Sequence, residues 1–343
     1  MNNLTRIVIL GGLVAIGGAY GGGVFNPWLP QEMQVGQSKA SVTGEGEIAL
    51  LPEDTKLEEK LQPVIGCLNN VAAPLRQGIA GYSEDYPHLL EKAGSTRGPW
   101  RFKLKVYEQN NSISRDCIKD LGAAISMAPA DAELDGPAKS FADTLEALIP
   151  LMNDADMYYS RNENVDDNMT KGKVLDSQLV PLFETFLAAA DQLNDTVALR
   201  NFQLRERRLV ALEKAYGKDN FSWHMLNVSL ASRIAMDKII ALSDKGDLNT
   251  ASVEGVERDY QTAFDNADAF ARAHPDVKTS AGNSPVWFSL SGDFNNFLVE
   301  MKEMRRALAK NPDKNEMDFM VSKLLKEYNH MIRNYNMIGA TRS

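Results

Sequence analysis

Few residues in this chain have the types and spacing that chemistry requires, and each group falls short of a complete set. Glu327 and His330 are three apart in a strongly periodic stretch, so both would lie on one face of a helix. That is half of the carboxylate and imidazole arrangement that holds two irons inside a helical bundle, which also needs a second such pair and two further glutamates. His88 and Glu91 offer the complement, but Pro87 precedes them and places them at the start of a helix rather than within one. A hydrogen bond between helices is the plainer role for His330. Asn162, Asn164 and Asp166 imitate the first, third and fifth positions of a calcium loop. Asp167 stands where that loop requires glycine, and Lys173 where a bidentate glutamate should close it, so an acidic loop between helices is the better account of Asp166. No metal ion and no cofactor is expected.

Nucleophilic chemistry has no visible support. No GxSxG elbow, HExxH pair or Walker loop occurs, and Ser222 and His224, two apart on a predicted helix, point away from each other. With four histidines and two cysteines the chain lacks the soft ligands for a zinc ribbon or an iron–sulfur cluster. Cys67 and Cys117 fall in separate predicted helices. In an oxidising compartment they could close a loop of about 50 residues, worth about 4 kcal/mol by chain entropy. The alternative is two buried thiols acting as small hydrophobes. Trp100 to Val106 alternates apolar and basic residues, which would set Arg101, Lys103 and Lys105 on one face of a strand. Such a patch would suit an anionic partner, headgroup or cell-wall polymer; the blander reading is a soluble edge segment.

The elements that would position these residues are helices. Over 343 residues, 44% are hydrophobic and 24% charged, the balance of a globular chain rather than a disordered one. A net charge of -9 has the wrong sign for gripping phosphate backbones, so nucleic acid is not expected as a partner. Leu57, Leu61, Val64 and Leu68 recur at helical spacing, as do Ile113, Cys117, Leu121 and Ile125. A third helix, opened by Gly136-Pro137, carries Phe141, Leu145, Leu148, Met152 and Met157, with a kink expected at Pro150. From Leu175 to Leu212 one register persists over roughly 40 residues, a rod of about 60 Å unless Pro181 or Asn194-Asp195 interrupts it. Arg205 to Arg208 on that rod reads as a solvated charged face. Three clearer helices come next, then a last one; the final two are opened by Ser284-Pro285 and Asn311-Pro312, with Phe288, Phe294, Met301, Met304, Met317, Met320 and Met331 in register. Their methionines suit a plain core better than an adaptable groove. Short polar turns between helices imply antiparallel neighbours. The expected fold is all-α, an elongated antiparallel bundle with one long central helix, preceded by an apolar export or anchor helix.

That export element is the run from Ile7 to Phe25, uncharged and behind the single positive charge of Arg6. Roughly 19 apolar residues just cross a hydrocarbon core of about 30 Å, so it could remain as a membrane anchor. It could equally be a signal removed near Ala19-Tyr20-Gly21. Either reading puts the chain beyond about residue 30 outside the cytoplasm. Gly17 and Gly21 have small-xxx-small spacing, which suits a homo-oligomer. The expected organisation is a cytoplasmic stub over 1–6, the export segment over 7–25, a Gly- and Ser-rich tether over 26–53, a helical domain over 54–337 and a tail over 338–343.

Tyr158-Tyr159, the acidic turn Asn164 to Met169, Lys171 to Leu175, and upstream Ile65 to Asn69 and Asp116-Cys117 stand out as separated motifs. Together they resemble the YiiG-like family, a bacterial domain of unknown function. The resemblance covers about residues 55 to 335 and implies a helical domain displayed in the cell envelope. Some relatives look like lipoproteins, whereas no cysteine stands directly behind the apolar run here. The family offers no catalytic residue to carry over. The expectation is therefore a non-enzymatic binding or scaffolding protein on the periplasmic side of the bacterial envelope. It would be anchored in the inner membrane through residues 7–25 or exported after cleavage, and its partner would be an unidentified envelope protein or polymer. The competing expectation is a metal-dependent enzyme or ligand-binding protein acting on cell-wall or lipid components.

Overall fold

The computed structural model describes residues 52–91, 111–275 and 286–340. Among these there is no strand, and ten α-helices succeed one another in chain order. They are α1 (Pro52–Cys67), α2 (Ala73–Glu91), α3 (Asn111–Ser126), α4 (Ala132–Ser160), the single turn α5 (Glu163–Asp166), α6 (Thr170–Tyr216), α7 (Phe221–Lys245), α8 (Thr250–Ala273), α9 (Val286–Leu308) and α10 (Lys314–Ala340). A π-helical turn, Leu68–Ala72, joins α1 to α2 without leaving helical backbone angles, since Cys67 and Ala73 on either side of it are both right-handed helical. No helix among the described residues is long and apolar enough to cross a membrane; the run from Ile7 to Phe25, the tether to residue 51, and Trp100 to Val106 with Arg101, Lys103 and Lys105 lie outside them.

The capping residues explain most of the boundaries, and they correct several expected ones. α4 does not open at Gly136-Pro137. Asp131 is its N-cap, accepting from Leu134 N at 3.3 Å while Asp135 accepts from the Asp131 backbone at 3.1 Å. Pro137 and Pro150 both lie inside the helix. Asp313, not Asn311, caps α10: its carboxylate accepts from Glu316 N at 2.9 Å, and Glu316 returns the bond to Asp313 N at 3.0 Å. Asn249 caps α8 reciprocally with Ser252, Asn220 caps α7 by accepting from Trp223 N, and Gly246 ends α7 with φ +73°, where a Cβ would be strained. Neither Pro181 nor Asn194-Asp195 interrupts α6, which runs unbroken for 47 residues. α10 continues to Ala340, so the expected tail from 338 begins as helix.

The chain divides into two compact units within the expected domain of 54–337. The described residues of the first run from Glu59 to Ala198. Its core is built from Leu61, Val64, Leu75, Leu121, Phe141, Leu145, Met152, Leu179 and Phe186, all essentially inaccessible. Phe141 of α4 meets Phe186 of α6 at 5.2 Å, and Tyr82 of α2 meets Phe183 of α6 edge-on at 5.5 Å. Tyr82 also donates to Asp176, and Arg76 pairs with Asp191. Met157, expected in the apolar stripe of α4, is instead on the surface.

The second unit comprises the residues from Leu199 onward together with residues 52–58. Here α7, α8, α9 and α10 pack in succession and α10 returns to α7, closing a four-helix group. Its centre is aromatic and sulfur-rich: Trp287, Phe294 and Phe297 of α9, Tyr260 of α8, and Met301, Met304 and Met331 are all at or below 1% exposure. Each such ring contributes about 1.5–3 kcal/mol by leaving water. The methionines form core, as expected, rather than a groove. Phe294, Met301 and Met304 are buried where expected, but in the first turn of α9 Trp287 rather than Phe288 faces inward, and Phe288 is half exposed. Nor is the run from Arg205 to Arg208 simply solvated. Arg207 pairs with the buried Asp54 at 2.7 Å, and Arg205 donates to Ser229 at 2.6 Å.

Candidate functional site

The turn between α4 and α6 is the most heavily specified local structure in the first unit. Asn162, Asn168 and Met169 all have left-handed backbones, with φ of 57°, 51° and 65°. For a methionine that conformation is uncommon and must be held by its surroundings. The holding group is Asp167. One carboxylate oxygen accepts from the Tyr158 hydroxyl at 2.6 Å, the other from the backbone of Lys171 at 2.8 Å, and the Asp167 carbonyl accepts from the Thr170 hydroxyl at 2.6 Å. The Tyr158 hydrogen bond keeps the Asp167 carboxyl below its ordinary range, whereas burial, then this same acid, pushes the Tyr158 phenol up. Lys171 reaches Asp154 at 2.9 Å and lies 5.6 Å over the Tyr158 ring. Gly172 completes the fit, because a Cβ there would sit 3.0 Å from both the Tyr159 hydroxyl and the Met169 methyl.

This arrangement consumes its own polar groups. Both Asp167 oxygens accept from the protein itself, so they are poor candidates for a base or a metal ligand, and Asp166 points to solvent. The acidic turn folds as a clamp closed on Tyr158, which is why Asp167 replaces the glycine that a calcium loop would use. Among the described residues no three metal-competent side chains come together. Glu327 and His330 both lie on α10, but His330 Nε2 faces Asp293 of α9 at 3.5 Å and Asn334 at 3.2 Å. Asn334 also donates to Asp293 at 2.8 Å. The group is an interhelical polar contact. His88 and Glu91 fall at the end of α2 and not at the start of a helix. Pro87 sits inside that helix, where the sequence suggested a boundary.

The two cysteines meet. Cys67, the last residue of α1, and Cys117 of α3 are joined with Cα atoms 5.0 Å apart, both side chains buried. Elsewhere in this unit lies a group that sequence reasoning missed. The ammonium of Lys60 is wholly buried and donates to the carbonyls of Met127 at 3.1 Å and Pro129 at 2.9 Å, with Asp135 Oδ1 at 2.7 Å. Two carbonyls accept hydrogen bonds from the ammonium, and the carboxylate of Asp135 is its ion-pair partner. The signal was present: Lys60 is three residues after Leu57 and four before Val64, in the apolar stripe of its helix.

The motifs that clamp this turn and pair these cysteines are those that carried the likeness to a known domain. A family model described as "Protein of unknown function (DUF3829)" matches residues 55–337. The chain belongs to this family. It is also 25% identical over 323 residues to the "Uncharacterized protein YiiG" of Escherichia coli strain K12, covering 90% of this chain and 86% of that one. No solved structure matches it. Within the DUF3829 span the described residues form hydrophobic cores, helix caps and polar clusters.

Proposed function

We propose that the protein is a non-enzymatic binding or scaffolding component of the bacterial cell envelope. Its helical domain would face the periplasm, held at the inner membrane by residues 7–25 or released there after cleavage. The observation that carries this reading is the uncharged apolar run Ile7 to Phe25 behind Arg6. The close pairing of Cys67 with Cys117 supports it, because such bridges persist in oxidising compartments and are rare in the cytosol. The mechanism is surface complementarity: helices fixed by their cores present side chains to an envelope protein or polymer, and the stretch over 26–53 sets the reach. Arg101, Lys103 and Lys105 would meet an anionic component of that layer, and association of two copies through Gly17 and Gly21 would raise the avidity.

Fusions at Ser343 test the location. Alkaline phosphatase is expected to be active there and green fluorescent protein dark, while mass spectrometry of the mature N-terminus separates an intact Met1 from a start near Tyr20. A fluorescent, wholly cytosolic fusion would overturn the proposal. Cross-linking in intact cells followed by purification is expected to recover one envelope component reproducibly, with recovery falling when Arg101, Lys103 and Lys105 are all changed to Ala.

A further inference from the structure

At one end of the four-helix group, three rings from two helices stack in series. His224, in the first turns of α7, lies 4.6 Å from Phe270 between ring centroids, and Phe270 lies 4.3 Å from His274, the residue that ends α8. Trp223 meets His224 edge-on at 5.1 Å. Phe270 is thus a plate between two imidazoles, and the ladder ties the entry of α7 to the exit of α8.

The two imidazoles occupy opposite electrostatic settings. His224 sits just inside a helix N-terminus, where unpaired N–H groups disfavour a cation, and its Nδ1 is enclosed with no hydrogen-bond partner. His274 sits at a helix C-terminus, where a cation is favoured, with Nε2 3.7 Å from Asp219 Oδ1. The other charges here are few. The Lys218 ammonium lies 5.3 Å over the Trp223 ring and 3.6 Å from Glu213, and its backbone carbonyl faces His224. Burial depresses the His224 pKa below 6.5; Asp219 and the Lys218 carbonyl oppose this more weakly, and His274 adds to it once charged.

We propose that His224, Phe270 and His274 form an acid-sensitive latch: with His224 neutral the ladder holds the two helix ends together, and proton uptake by His224 releases them while the centre of the group stays closed. The direction comes from linkage. An opened end exposes His224 to water and lets it bind a proton more readily than the closed end does, so latch strength is full above about pH 6.5 and declines as pH falls below it.

Hydrogen exchange of the full-length protein at about pH 7.5 and about pH 5, corrected for intrinsic rates, tests the proposal. Protection over 217–227 and 267–275 should fall by roughly twofold or more in acid. Protection around Phe294 and Met301 should not change. His224→Gln should abolish the acid effect and His274→Gln should leave it in place. An acid effect of equal size in wild type and His224→Gln, or none in wild type, overturns the latch. If His224→Gln does not fold, NMR titration of the wild-type imidazoles decides: a His224 midpoint at or above 6.5 overturns it, and one below supports it.

Discussion

A single lysine shows how closely charge is managed in this protein. Lys60 buries its ammonium in the first unit, where it donates to two backbone carbonyls and pairs with Asp135. Replacing it by Met keeps the volume but strands a carboxylate and two carbonyls, and removing one partner of a buried pair is strongly destabilising. Lys60→Met is expected to lower the unfolding free energy by about 3 kcal/mol, discounted for the partial exposure of Asp135. Urea denaturation measures it, and a loss well under 1 kcal/mol would show the cage to be incidental. Asp167 gives a pH prediction. Its folded pKa is depressed, chiefly by the Tyr158 hydrogen bond, so its contribution is present above its unfolded value of 3.8 and is lost as pH falls through the folded one. Tyr158→Phe should therefore make thermal stability less sensitive to acid below about pH 4, as a melting series would report. Neither residue announced itself fully in the sequence. A calcium loop could be set aside because Asp167 stands where glycine is required, but the clamp of Asp167 on Tyr158 depends on three left-handed residues that no periodicity encodes.

Helices were the most legible level. Leu57, Leu61 and Val64, or Leu121 with Cys117, lie where a period of 3.6 requires, and they are buried as expected. Ends were less legible because proline was given too much weight. Pro137 and Pro181 both sit inside helices, where packing of the surrounding apolar faces outweighs a missing hydrogen bond. Side-chain caps decide the starts instead. Asn220 accepts from Trp223 N at 3.0 Å, and Asn249 from Ala251 N and Ser252 N at 3.0 Å each. Asn249→Ala should cost about 1 kcal/mol, and Asn249→Gly only a few tenths. Equal losses from the two substitutions, compared by chemical denaturation, would mean the cap is not what fixes this end of α8. The first turn of α9 was misread for a different reason. Trp287 and Phe288 are adjacent and both apolar, so the stripe alone does not say which faces inward; the indole N–H donating to Asp268 at 2.8 Å favours Trp287.

At the scale of the molecule, composition excluded more than it identified. A net charge of -9 and the absence of a complete ligand set argued against nucleic acid and metal chemistry before any element was placed. A helical domain of the DUF3829 family over 55–337 was legible from scattered motifs, and its division at Ala198 and Leu199 was not, because α6 runs through that boundary without a break in pattern. The cysteine pair joins α1 to α3 covalently. Protein purified without reductant should migrate faster on non-reducing than on reducing gels, Cys67→Ser should remove the difference, and the variant should lose about 4 kcal/mol of stability. Full thiol labelling of the native, unreduced protein would contradict this. The bridge has one more consequence. Positions 67 and 117 are 50 apart, and everything between them hangs on both ends. A protease that cuts once anywhere in that interval leaves two polypeptides on one covalent molecule, so nicking would go unseen until a reductant parts the fragments.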